Sequence, residues 1–296
     1  MENGCQLCPR KCGARRSEGQ RGYCKAGDMP RLAKVMVHKW EEPVISGERG
    51  SGAVFFSGCT LGCEFCQNYE ISSNCFGKDV SVNRLAQIFL ELQGKGVHNI
   101  NLVSPTPYIN QIKKALDLTR GKLYLPIVYN TSGYETIEAI RSLEGYVDVY
   151  LPDLKYMDSN LSNRLSHAKN YPEYATKAIL EMVRQTGKNL YDREGMLKRG
   201  VIVRHMVLPS YAQNSIDCLK WMGENLPLDD ILISIMSQYT PFFNAESFPE
   251  INRRLSREEY DKVLEFASQM GIENGFIQEL SSAKEEYTPC FDLEGV

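Results

Sequence analysis

Ten cysteines stand in this 296-residue chain, and seven of them fall into two groups. Cys59, Cys63 and Cys66 share one loop in the spacing C-x3-C-x2-C, with Phe65 inside the second gap. Cys5, Cys8, Cys12 and Cys24 form the other group, C-x2-C-x3-C-x11-C. Ligands to metals and clusters are distributed along a chain in this way. Three thiolates on one loop can hold a four-iron cluster and leave one iron open to a chelating ligand. Four thiolates make a complete set for zinc or for a second cluster, and spacing does not choose between them. The interleaved Arg10, Lys11, Arg15, Arg16 and Arg21 would offset the negative charge of either. Cys75, nine residues past Cys66, offers a fourth thiolate that would close the first site; it is expected instead to pack or to face solvent. Cys218 and Cys290 read as packing or spectator thiols.

The elements that must hold these groups are legible as alternating patterns. The 59–66 loop follows Ala53-Val54-Phe55-Phe56, an apolar run bounded by glycines that reads as a buried strand over 53–57. Helix and strand signals then alternate: a helix over 81–94, a strand over 99–103, a helix over 108–118 and a strand over 126–129. A helix over 135–143 precedes a strand over 147–151, and a mostly helical stretch over 158–187 is interrupted near Asn170-Tyr171-Pro172. A strand over 201–208, a helix over 214–225 and a strand over 231–236 lead to a last helix, opened by a Ser256/Glu259 capping box and ended at Gly271. Residues 34–40 offer one further strand before the glycine-dense 45–52 loop. Six strand–helix units of this kind predict a parallel sheet with right-handed crossovers, open or curled toward a barrel. Residues 1–30 lack an apolar core and need a staple, which four cysteines can supply. The expected organisation is a cysteine-rich segment over 1–30, the barrel over 31–275, and a tail over 276–296 without a usable motif.

In such folds the active site lies at the carboxyl ends of the strands. Past the six strands stand the cysteine loop, Ser104-Pro105-Thr106-Pro107, Asn130-Thr131-Ser132-Gly133, Asp153-Leu154-Lys155, Pro209-Ser210 and Ser237-Gln238-Tyr239. All five sets beyond the cysteines carry hydrogen-bonding or charged side chains, as a mouth shaped for a ligand requires. The tyrosines nearby (Tyr108, Tyr129, Tyr134, Tyr239) are expected to pack in the core or at the rim. The four histidines are scattered and none is assigned as a ligand. Net charge −3 and a pI of about 5.9 give no basic footprint for nucleic acid or a membrane surface. No apolar stretch approaches the roughly 18 residues of a membrane span, and the amino terminus shows no signal-peptide core. A cytoplasmic protein with reduced thiols is expected.

The motif Cys59-x3-Cys63-x-Phe65-Cys66 resembles the cluster loop of the radical S-adenosylmethionine (SAM) superfamily. Further pieces resemble, in order, glycyl-radical activating enzymes such as pyruvate formate-lyase activase. They are Ile45-Ser46-Gly47 through Cys59, Asn130-Thr131-Ser132-Gly133-Tyr134, Asp153-Leu154-Lys155, and Val203-Arg204 with Leu208-Pro209. The resemblance covers roughly 45–275 and implies a partial (β/α)6 TIM-like barrel. It implies that Cys59, Cys63 and Cys66 bind a [4Fe–4S] cluster and that Phe65 lies near the adenine of S-adenosylmethionine. It places Thr131, Asp153 and Lys155 at the methionine end, and Arg204, facing inward where His205 faces out, at the ribose or carboxylate. Where those activases carry Gly-Gly-Glu-Pro this chain has Ser104-Pro105-Thr106-Pro107, so carbonyl oxygens, Ser104 and Thr106 Oγ are left to receive the cofactor's ammonium. Gln238 stands where they carry a late histidine.

The activity implied is reductive cleavage of S-adenosylmethionine to a 5′-deoxyadenosyl radical that abstracts hydrogen from a substrate. That substrate would be a glycine of a glycyl-radical enzyme, or else a small molecule. An electron donor such as flavodoxin or ferredoxin is the implied partner. The alternative is a non-catalytic zinc or iron–sulfur protein for electron transfer, but such a carrier needs no cofactor-shaped mouth.

Overall fold

Every residue of the first core strand, Ser51–Phe56, is buried, the pattern of a strand covered on both faces. The computed structural model describes residues 4–280 and 289–296. In chain order the elements are β1 (Arg31–His38), α1 (Pro43–Ser46), β2 (Ser51–Phe56), α2 (Tyr69–Ser72), β3 (Lys78–Asp79), α3 (Val82–Gly94), β4 (Ile100–Val103) and α4 (Ile109–Leu118). They continue with β5 (Ile127–Thr131), α5 (Ile137–Arg141), β6 (Val149–Pro152), α6 (Ser159–Ser166), α7 (Tyr171–Thr186), β7 (Leu190–Tyr191) and β8 (Leu197–Met206). The last are α8 (Ala212–Asn225), β9 (Leu232–Met236), α9 (Arg257–Gln269) and β10 (Gly275–Ile277). The strands pair in the order β10-β9-β8-β6-β5-β4-β2-β1-β3, with β7 beside β8.

From β2 to β10 this path is parallel, and only β1, β3 and β7 join antiparallel. The fold is therefore the expected open (β/α) barrel, its six strand–helix units those read from the alternation. Strand parity divides the core. Val54, Phe56, Leu102, Tyr129, Tyr150, Val203 and Ile235 lie in the large cluster shared with the surrounding helices. Val128, Val149, Leu151, Ile202 and Leu232 face the other way and pack with Ile45 and Leu197. Along that inner face Asn130, Asp153 and Arg204 follow the apolar residues at the strands' carboxyl ends.

Local chemistry sets the helix boundaries. Ser81 caps α3, accepting from the Arg84 amide, and α3 buries Leu85, Ile88, Phe89 and Leu92 at helical spacing. The Ser256/Glu259 capping box opens α9 with both reciprocal bonds. The interruption expected near Asn170-Tyr171-Pro172 is the break between α6 and α7, and Pro172 sits in the first turn of α7, where its missing N–H costs nothing. The helix expected over 135–143 is shorter. Thr136 is the N-cap of α5, its hydroxyl accepting from Ala139 N, which leaves Glu135 outside the helix. At the other end β10 adds a further parallel strand beside β9. Residues 289–296 return to β1: Leu293 N bonds Ala33 O, Val35 N bonds Glu294 O, and Phe291 packs edge-on against Phe55. Lys34, almost fully covered, ion-pairs with Asp292 and Glu294 there. Among the described residues no helix is long and apolar enough to cross a membrane.

His205 points away from the interior, as its parity with Arg204 requires. It is fully buried; its Nδ1–H donates to Leu154 O (2.6 Å) and its Nε2 accepts from the Ser215 hydroxyl (2.9 Å). Burial holds its pKa down at about 4, against 6.5 for an ordinary histidine. A ring that stays neutral in the native state but protonates when unfolded loses stability as pH falls from 6.5 toward 4. Between pH 7 and pH 5 this one group should withdraw ~2 kcal/mol. Urea unfolding at the two pH values checks it: the His205→Gln variant, though weaker overall, should lack that part of the drop.

Candidate active site

The cysteine loop leaves β2 through Gly58, whose φ of +89° suits glycine and whose Cβ position lies 2.5 Å from Cys24 O. No larger residue fits there, because the amino-terminal segment packs directly on the turn. Cys63 is buried and Cys59 and Cys66 are partly covered. The Leu61 amide approaches Cys59 Sγ at 3.4 Å and the Ser72 hydroxyl bonds Cys66 Sγ at 3.2 Å. Burial pushes the Cys63 thiol up to about 12 and raises Cys66, while the nearby Lys155 ammonium opposes the rise at both. Loading these thiols with metal therefore releases protons. Among the described residues no three His, Cys, Asp or Glu side chains close around a point the size of one metal ion. As a donor set, three thiols on one loop with two hydrogen-bond donors and a cation beside them suit a cluster that needs three thiolates.

Cys75 feels the charge of Cys59 but turns its thiol toward the amino-terminal segment. Its backbone is left-handed (φ 54°) and its thiol approaches Cys24 O at 3.7 Å. The four amino-terminal cysteines are brought together: Cys24 feels the charges of Cys5 and Cys12, and Cys8 those of Cys5 and Cys24. Burial pushes Cys8 up to about 12 and also raises Cys24. Cys5 N bonds Ala14 O and Gly13 N bonds Cys5 O, a short ladder that folds the segment back on itself. Arg16 reaches Cys24 Sγ at 3.3 Å and also donates to Pro107 O.

Arg10 joins this segment to the three-cysteine loop. Its guanidinium donates to Thr60 O (3.0 Å) and Leu61 O (2.9 Å) on that loop, and to Ser166 O (3.1 Å) and His167 O at the end of α6. It stacks on Tyr23, 3.9 Å from the ring centre, with Tyr134 at 5.3 Å. A cation on the last carbonyls of a helix is also favoured by the helix dipole.

At the other strand ends the expected residues form two networks. In the first, Arg204 donates to Asp153 Oδ1 (2.9 Å), Glu41 Oε2 (3.2 Å) and Asn130 Oδ1 (2.7 Å), and Lys155 Nζ bonds Asp153 Oδ2 (2.6 Å). Arg204 and Lys155 hold the Asp153 carboxyl below its ordinary range despite burial. Arg204 thus spends its guanidinium on these side chains and positions Asp153. Glu42, buried beside them, is pushed up to about 7 by desolvation. Tyr171 braces the strand end: its hydroxyl accepts from Lys155 N (2.9 Å) and lies 2.8 Å from Asp153 O and Ser132 O.

In the second network Thr106 and Thr131 both donate to Glu135 Oε1 at 2.5 Å, with the Tyr129 hydroxyl at 3.4 Å. Gly133 (φ 78°) lets this turn approach the first network, its Cβ position being 2.3 Å from Asp153 O. Ser104 is held left-handed at φ 57°, its N–H on Asn130 O. Phe65 is buried edge-to-face against Tyr239, 5.8 Å between centres. Gln238 joins neither network; its amide faces Met236 Sδ at 3.8 Å. Tyr108, Tyr129, Tyr134 and Tyr239 are all buried, as expected.

Sequence reading missed Arg10 as an anchor, Glu41 and Glu42 as interior acids, and Glu135. Glu135 looked like an ordinary first-turn acid of a helix; the signal that could have found it was Thr136, a better N-cap one residue on. The Radical SAM superfamily model matches residues 53–211. An uncharacterized protein of Methanocaldococcus jannaschii is 31% identical over 283 residues, covering 91% of this chain and 75% of that protein. In fold the chain is similar to Streptococcus suis SuiB bound to the precursor peptide SuiA, with TM-score 0.51 and 16% identity over 77% of this chain and 48% of that one. It is similar also to HydG, a maturase of the [FeFe]-hydrogenase, with TM-score 0.51 and 16% identity over 85% of this chain and 58% of that one. The chain thus spans about half the length of the first structure and somewhat more of the second.

Arg10→Lys keeps the charge but loses the fork and the stacking. Losing ~1.4 kcal/mol of local stability makes amide exchange about tenfold faster. Hydrogen exchange should therefore rise by about that factor or more across residues 5–25 and leave α8 unchanged. Unchanged protection at 5–25 would mean that Arg10 does not anchor the segment.

Proposed function

The chain belongs to the radical SAM superfamily, and on that premise we propose that it abstracts hydrogen from a substrate, with a protein glycine as the first candidate. Superfamily membership makes it an enzyme that uses a [4Fe–4S] cluster and S-adenosylmethionine. One observation carries the reading further: the three-thiol loop shares its strand-end mouth with the two polar networks, and Lys155 belongs to both neighbourhoods, bonding Asp153 and facing Cys63. A non-catalytic carrier would have no use for those networks.

The residues divide the work as follows. Cys59, Cys63 and Cys66 would hold the cluster, with Leu61 N–H and the Ser72 hydroxyl stabilising two of the thiolates. Bound there, the cluster and S-adenosylmethionine supply the electron and the 5′-deoxyadenosyl radical. Lys155 offers its ammonium to a carboxylate, and Asp153, fixed by Arg204, keeps that ammonium charged and oriented. Phe65 and Tyr239 form an apolar wall over the loop that excludes water. The target glycine and the electron donor, of the flavodoxin or ferredoxin kind, belong to this proposal through the resemblance to glycyl-radical activases. A small-molecule substrate would use the same abstraction step.

The amino-terminal cysteines extend it. We assign Cys5, Cys8, Cys12 and Cys24 to a second cluster that passes electrons to the first. Support comes from contact: Cys24 O packs on Gly58, and Tyr23 OH donates to Leu61 O at 3.2 Å. Zinc in the same place would only staple the segment.

Two measurements test the proposal. Anaerobically reconstituted protein given dithionite and S-adenosylmethionine should form 5′-deoxyadenosine, and Cys59→Ala should reduce it to the no-enzyme level with the fold retained by circular dichroism. Cleavage that survives Cys59→Ala would remove the central claim. Metal counting on a variant with all four amino-terminal cysteines changed to Ala should show lost iron; lost zinc instead would make the segment a staple.

A further inference from the structure

We propose that Glu135 is the carboxylate that receives the ammonium of the cofactor's methionine end, in place of the acid missing from the loop after β4. This rests on the radical SAM reading above and concerns a residue outside the expected binding set. The loop after β4, Ser104-Pro105-Thr106-Pro107, has no acidic side chain of its own. At its third position Thr106 donates across to Glu135 Oε1 at 2.5 Å, so a carboxylate from the next loop stands directly beside the place the acid would occupy. Thr131, already expected at the methionine end, donates to the same oxygen at 2.5 Å.

The two oxygens of Glu135 are treated very differently. Oε1 collects the Thr106, Thr131 and Tyr129 hydroxyls, whereas Oε2 is buried and has no hydrogen-bond partner. The residue is 0% exposed. An acceptor left bare in the interior is costly, and such atoms call for an explanation beyond packing. Glu135 also has no cation: what acts on it is desolvation and the three hydroxyls. Asp153 and Glu41 are paired with Arg204 and Lys155, and Glu42, whose Oε2 likewise has no hydrogen-bond partner, lies in the field of Arg204. A ligand ammonium supplies what Glu135 lacks, a donor for Oε2 and a positive charge. Gly133 packs on Asp153 O, so the turn that carries Thr131 and Glu135 adjoins the strand end that carries Asp153.

A structural role for Glu135 would look different on substitution. Glutamine retains an oxygen that accepts from Thr106 and Thr131 but cannot bind an ammonium as an ion. The test is anaerobic equilibrium dialysis of the cluster-loaded full chain with two ligands, S-adenosylmethionine and its desamino analogue, which has hydrogen in place of the amine. Wild type should prefer S-adenosylmethionine by about tenfold or more, as a buried charge-assisted pair implies. Glu135→Gln should lose that preference, with S-adenosylmethionine weakened about tenfold or more and the analogue unchanged, at unaltered iron content. The double variant Thr106→Glu/Glu135→Gln, which returns an acid to the neighbouring position, should recover the preference. Equal losses for both ligands, or no loss for either, would overturn the assignment. If Glu135→Gln fails to fold, Glu135→Asp takes its place: drawing the charge back by one methylene should cut the preference, and an intact preference would overturn the assignment. Wild type that binds neither ligand would bring down the radical SAM reading and this one with it, an outcome distinct from binding without preference.

Discussion

One guanidinium makes four of the bonds that hold the two cysteine groups beside each other. The amino-terminal segment has almost no apolar core of its own, and Arg10 ties it to four carbonyls, two on the three-cysteine loop and two at the end of α6. Each of those carbonyls would otherwise need another partner, because buried backbone acceptors are costly to leave unmet. The same contact that folds the segment therefore satisfies two carbonyls of the three-cysteine loop. This is why Gly58 has no room for a side chain: Cys24 O already occupies the space.

Within the mouth, charge is distributed by the same logic of satisfaction. Arg204 is the most heavily used cation, and its three partners are all side chains of this protein. Left with capacity for a ligand are the Lys155 ammonium, held by Asp153, and two acids with an unbonded oxygen, Glu42 in the field of Arg204 and Glu135 with no cation. Burial without a cation pushes Glu135 up to about 7, whereas Asp153, also buried but between two cations, stays below the usual carboxylate range. Two acids a few residues from neighbouring strand ends thus behave oppositely, and the difference is set by their neighbours and not by their own loops.

Much of this was legible from residue types alone where the pattern is local. The C-x3-C-x2-C loop, the alternation of strands and helices, and the Ser256/Glu259 box depend on spacing within one turn or one strand. Asp153 and Lys155 were found for the same reason, sharing a face at i and i+2. Arg204 was placed correctly on the inner face, yet its partners include Glu41, more than 160 residues earlier, which no spacing rule connects to it. Glu135 shows the limit most clearly. One residue separates a helix-opening acid from a buried carboxylate, and the choice turned on which residue caps α5. The tail was opaque for a similar reason, since β10 and the return of Phe291 to Phe55 are contacts with strands far away in the chain.

The amino-acid sequence by itself determined the candidate centre and the frame: which thiols share a loop, which segments are strands, and that polar groups follow each strand. These are set by residues within reach of one another along the chain, where propensity and periodicity act. Only the tertiary structure decided which charges are already paired, which carboxylate is left without a cation, and where the second cysteine group sits. Those outcomes depend on desolvation and on partners dozens of residues apart, and both exist only once the sheet has closed around them.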